Sequence, residues 1–90
     1  MPKKIINNRM YNTETAKQLG YWSNGYTPSD FYFAEETLYQ KKTGEYFLAG
    51  KGGPESKYRE QVGISEWDNG QNIIPLTMEQ AKEWLRKVAE

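Results

Sequence analysis

The segment Glu35–Tyr58, EETLYQKKTGEYFLAGKGGPESKY, constrains this chain more than any other stretch. β-Forming residues on both sides of Lys41–Gly44 predict two antiparallel strands joined by a tight turn, with Gly44 placed to close it. Phe31–Gln40 is expected to be the outgoing strand and Glu45–Ala49 the return strand. The pair Glu35-Glu36 interrupts the outgoing pattern, which leaves a bulge or an early helical turn open at that point. Gly50-Lys51-Gly52-Gly53-Pro54 then breaks all regular structure.

Elements on either side follow from local chemistry. Lys3–Ile6 and Arg9–Tyr11 are short strand candidates around Asn7-Asn8, and Asn accepts the positive φ of a two-residue hairpin turn. Asn12 or Thr13 is placed to cap a short helix over Glu14–Leu19, with Gly20 as its stop and Ala16 and Leu19 facing the core. Tyr21–Asp30 reads as a loop. Pro54–Gln61 is expected to hold one or two helical turns, with Pro54 at the first position. Asp68-Asn69-Gly70 is a tight turn before a final strand, Asn72–Pro75. Thr77 and Gln80 fit a capping box. Met78, Ala81, Trp84, Leu85 and Val88 recur at helical spacing, while Glu83 and Lys87 can pair on the opposite face. The order predicts one α+β domain over 1–90. A small antiparallel sheet (N-terminal hairpin, central hairpin and short last strand) packs with a short N-terminal helix and a C-terminal helix.

Ninety residues without Cys must hold together by packing alone, with no disulfide and no thiolate zinc site. Seven Tyr, three Trp and three Phe supply much of the apolar area. Twelve basic and twelve acidic residues cancel, which argues against a general binder of the phosphate backbone and against an acidic DNA mimic. The opening MPKKIINNRM has no long apolar run, and no stretch approaches a membrane span, so a cytoplasmic protein without a membrane partner is expected.

The chain has no His and no Cys, which removes Ser-His and Cys-His nucleophile pairs and imidazole metal ligands. On a strand, Glu35 and Glu36 point to opposite faces and make a poor carboxylate pair. Their expected state is one solvated and one partnered carboxylate. Asp30, Glu35, Glu36, Glu66 and Asp68 do not have the spacing of a calcium loop. Gly50–Gly53 fails the phosphate-loop motif at two positions and the dinucleotide motif at its third glycine. It reads as a tight turn, with a local anion nest near Lys51 as the alternative. No catalytic residue, metal ligand or cofactor is therefore expected.

Aromatic residues carry the binding signal instead. Trp22 and Tyr26 lie among polar turn residues, and Tyr58, Arg59 and Trp67 form a second group. Exposed Trp, Tyr and Arg are the usual anchors of protein interfaces. With Lys51 on the glycine-rich turn, these six residues are the expected partner-binding set. Trp84, on the helix stripe, is assigned to the core. Rings that merely cover a small core are the competing reading.

The pieces IINNRMYNTETA at 5–16, EETLYQKKTGEYFLAGKGGPESKY at 35–58 and IIPLTMEQAKEWL at 73–85 resemble a group of small proteins encoded by bacteriophages, plasmids and other mobile elements of bacteria. Lys51 stands where relatives in that group often carry Glu. The resemblance implies a non-enzymatic protein that binds a host factor in the bacterial cytoplasm, in the manner of anti-CRISPR inhibitors. The implied partner is a host protein complex such as a defence nuclease, bound by a monomer or small homo-oligomer. The alternative is a nucleic-acid accessory protein using a basic strip of Lys3, Lys4 and Arg9, or of Lys41, Lys42 and Lys51.

Overall fold

The computed structural model of the chain describes residues 3–89. Strands β1 (Lys3–Ile6) and β2 (Arg9–Asn12) form the first hairpin, with Ile6 opposite Arg9. Asn7 and Asn8 both have positive φ, 51° and 64°, as a type I′ turn requires.

A four-stranded antiparallel sheet forms the body, in the order β3 (Lys17–Ser23), β4 (Ala34–Gln40), β5 (Tyr46–Gly52) and β8 (Gly70–Leu76). Gly44 closes the central β4–β5 turn at φ 101°, a conformation other residues adopt only with strain. Between β5 and β8 the chain makes turns and a small ribbon of β6 (Glu60–Gln61) and β7 (Trp67–Asp68). The helix α1 (Met78–Ala89) ends the described fold.

Several expectations are corrected. No helix forms over Glu14–Leu19. The Asn12 side chain does accept from Glu14 N (2.9 Å), so the capping chemistry is present, but the chain makes only a turn and enters β3. Six residues are too few to stabilise an isolated helix, whereas pairing with β4 satisfies a full row of backbone groups. The expected loop at Tyr21–Asp30 begins only after Ser23, and Phe31–Phe33 precede β4. Glu35 and Glu36 sit in regular register opposite Lys51 and Gly50, so the bulge lies elsewhere, between Gln18 and Gly20 of β3. Pro54–Gln61 forms turns and β6 in place of helix. Strand β8 outruns the expected Asn72–Pro75, and it tolerates Pro75 because it is an edge strand.

Both sheet faces are covered. On one, the first hairpin seats Tyr11 against Phe47 and Ile73, with Ala16 and Tyr39 packed alongside. Tyr39 stacks on Phe47 (centroids 5.2 Å apart) and Tyr11 meets it edge-on at 5.5 Å. On the other, α1 places Ala81 against Leu38 and Leu48, joined by Leu19, Ile74 and Trp84. Gly20 makes this approach possible, because a Cβ there would lie 3.0 Å from the Trp84 ring.

The helix starts with the expected reciprocal cap: Thr77 N donates to Gln80 Oε1 (2.9 Å) and Gln80 N to Thr77 Oγ1 (3.1 Å). Its apolar stripe is narrower than the spacing predicts. Met78 and Leu85 are exposed, since a four-strand sheet is covered by little more than the Ala81–Trp84–Val88 side. Glu83 pairs with Arg86 at 2.9 Å, where Lys87 was the expected partner.

Candidate functional site

Alternation along β4 sends Glu35 and Glu36 to opposite faces, and each finds its own partners. Glu36, 5% exposed, is enclosed on the helix side. It accepts from the Tyr58 hydroxyl (2.5 Å), Lys57 Nζ (2.6 Å) and Trp84 Nε1 (2.9 Å). Burial pushes its pKa up, but the hydrogen bonds from Lys57, Tyr58 and Trp84 outweigh that, and the net shift is downward. The same burial, followed by the bond to Glu36, drives the Tyr58 phenol well above its ordinary value. The group is therefore a fixed carboxylate held by neutral and cationic donors, a structural clamp between sheet, loop and helix.

Tyr58 is one of the expected contact residues, and its placement corrects that expectation. Its side chain is 6% exposed and its ring covers Gly50, where an added Cβ would collide with it. The ring supports a surface and does not present one. A local sequence reading places Tyr58 beside polar neighbours and has no means of seeing Gly50 beneath it.

Gly50, Lys51 and Gly52 continue β5, paired on both sides, so the expected break comes only at Gly53, and close packing explains the glycine there. A Cβ at Gly53 would lie 2.6 Å from the Asp30 and Phe31 carbonyl oxygens. Gly53 N donates to Phe33 O and Glu55 N to Phe31 O, each at 2.8 Å. These amides are committed inside the protein, so they do not form an anion nest. They bind the Pro54–Ser56 turn to the β3–β4 connection and hold that connection in place.

Asn24 fixes the same connection from within. Its side-chain amide donates to Tyr32 O (2.7 Å), and its carbonyl oxygen accepts from Ala34 N (3.2 Å) and Tyr26 N (3.4 Å). Asp30 adds a bond to Tyr32 N (2.8 Å). The rings of Tyr26 and Tyr32 are thereby brought together, centroids 5.8 Å apart. With Trp22 on β3 they line an open cleft of about 400 Å³ whose polar wall includes Glu55 and Lys57. Phe31, 67% exposed, stands next to Tyr32 in sequence. Sequence reasoning singles out Trp22 and Tyr26 but treats Asn24 as turn chemistry and Tyr32 as strand. Asn-Gly at 24–25 was the available signal.

The remaining expected residues lie apart from this cleft. Lys51, on β5, points to the hairpin side and pairs with Glu35 at 3.2 Å. Glu35 also accepts from the Tyr21 hydroxyl (2.5 Å), and that bond raises the Tyr21 pKa. Arg59 lies over the Trp67 ring at 4.0 Å, on the β6–β7 ribbon. Ile64, 98% exposed, occupies the tip of that ribbon. Arg9 and Lys41 both reach Glu45, at 3.2 and 3.4 Å. A Thr43 hydrogen bond, outweighing desolvation, and the Lys41 pairing lower the Glu45 pKa to about 2. Among the described residues, no three Asp, Glu, His or Cys side chains are grouped to hold a metal ion. No helix among them is long and apolar enough to cross a membrane.

Comparison with family models, curated proteins and solved structures finds no match to this chain.

Proposed function

We propose that this chain is a protein-binding module whose contact surface is the Trp22–Tyr26–Tyr32 cleft with Phe31 beside it. The carrying observation is that Asn24 and the Gly53–Glu55 backbone hold exposed rings in one fixed arrangement. Rigid aromatic anchors lose little conformational entropy on binding, which is why they dominate interface energetics. Glu36 and Lys57 answer each other, while Glu55 has no ion-pair partner among the described residues. The partner that fits is a protein segment presenting an apolar side chain to the rings and a Lys or Arg to Glu55.

Inhibition of a host defence complex of the CRISPR type is the finer form of this reading, and it is supported by the resemblance to mobile-element proteins. The test is affinity capture from nuclease-treated bacterial lysate, with the native chain beside Tyr26→Ser/Tyr32→Ser. A protein retained by the native chain and lost with the double variant supports the cleft. Equal recovery by both refutes it. Adding the protein to a reconstituted CRISPR effector and measuring target cleavage tests the finer form; undiminished cleavage rejects it for that effector.

A further inference from the structure

We propose a second site, on the opposite face of the sheet, that binds a phosphorylated small molecule with an apolar body. A cleft of about 570 Å³ opens between the first hairpin and the sheet. Its volume falls within the range of small-molecule sites, roughly 300–1,000 Å³. Lys3 and Lys4 from β1 and Lys51 from β5 line it, against one carboxylate, Glu35. Tyr39, Ala49 and Ile73 supply apolar lining.

The charge of the lining points to the class of ligand. The chain as a whole is neutral. Several cations elsewhere are engaged: Arg9 and Lys41 on Glu45, Lys57 on Glu36, Arg86 on Glu83 and Arg59 on the Trp67 ring. Three lysines and one carboxylate line the cleft, an excess of two positive charges among its lining residues. That excess matches a phosphomonoester, which carries close to two negative charges at neutral pH.

Two of the lysines are held by side-chain partners that also line the cleft. Lys4 Nζ donates to Asn72 Oδ1 at 2.8 Å, a neutral partner that orients the ammonium without cancelling its charge. Lys51 Nζ is 3.2 Å from Glu35 Oε1, and Glu35 Oε2 is occupied by the Tyr21 hydroxyl. Tyr21 can retain the carboxylate while Lys51 turns to a ligand. A continuous nucleic-acid strand would need cations along a track, whereas these three residues line one cleft.

The test is a titration of isotope-labelled protein with phenyl phosphate at fixed ionic strength, followed by amide chemical shifts. Saturable shifts are expected at Ala49, Lys51 and Ile73, with inorganic phosphate binding more weakly and phenol alone not at all. Lys4→Gln and Lys51→Gln are each expected to weaken binding by about 10-fold, the usual scale for one charge-assisted bond. Lys82→Gln, on the helix, should leave it unchanged. Absence of saturable shifts, or equal affinity in all three variants, overturns the proposal. Binding confined to a 5′-phosphorylated single-stranded oligonucleotide also overturns it, in favour of a nucleic-acid site.

Discussion

The Tyr58 hydroxyl donates a 2.5 Å hydrogen bond to Glu36 while its ring lies over Gly50, the residue directly across from Glu36 on the next strand. One side chain thus fastens the long β5–β8 excursion to the centre of the sheet. Removing its hydroxyl leaves a buried carboxylate short of a donor. Tyr58→Phe is expected to lower stability by about 1–3 kcal/mol in urea unfolding. An unchanged midpoint would show that the clamp contributes nothing.

Gly50 is the other half of that relationship. Gly50→Ala places a methyl group where the Tyr58 ring sits, and the ring must move off Glu36. A loss of about 1–3 kcal/mol is expected from this overpacking alone. The paired variant Gly50→Ala/Tyr58→Ala should lose less than the sum of the two single changes. Strict additivity would place the strain elsewhere.

Glu36 also gives stability a pH dependence. Its pKa is lowered in the folded chain relative to its ordinary value of 4.5. The unfolded chain therefore binds the proton first as pH falls, and this contribution, complete above 4.5, is lost down through the lower folded pKa. Lys57→Gln removes one of the groups that lowers the folded pKa. The variant should be less stable at pH 7, and its stability should fall less steeply below pH ~4.5 than that of the native chain. Circular dichroism across an acid titration measures both slopes, and parallel curves would count against the linkage.

Asn24 carries three side-chain bonds across the β3–β4 connection. Asn24→Ala should cost about 1–2 kcal/mol and speed hydrogen exchange at the Ala34 amide, one of the donors it satisfies. It should also weaken the captured partner without touching a contact ring. If exchange at Ala34 is unaltered, the loop is held by the Gly53–Glu55 backbone alone.

The Asn7-Asn8 turn offers a gain. Asn8 sits at φ 64°, where glycine is relieved of Cβ strain. Asn8→Gly is expected to raise stability by about 0.5 kcal/mol, because strain relief exceeds the added freedom of the unfolded chain. A lower unfolding temperature would mean that chain entropy wins.

Turns and caps were readable because their chemistry is local. Asn7-Asn8 and Gly44 report the φ they must adopt, and Thr77 with Gln80 announces its own reciprocal bonds. Misreadings arose where a local preference competed with a partner distant in sequence. Asn12 caps a turn at Glu14, yet Lys17–Ser23 joins the sheet because β4 offers it a complete row of hydrogen bonds. Trp22 and Tyr26 were visible as ring-bearing turn residues, but Tyr32 joined them only through Asn24 and the packing of Gly53.

By itself, the sequence determined two hairpin turns, a capped C-terminal helix and the opposed directions of Glu35 and Glu36, since each depends on residues within one or two turns of chain. Tertiary structure decided that Tyr58 is buried, that Glu36 is clamped by three donors from two distant segments, and that Lys3, Lys4 and Lys51 share a cleft. Those outcomes depend on which strands become neighbours. That is set by the summed burial and hydrogen bonding of the whole sheet, to which no single segment's propensity is a guide.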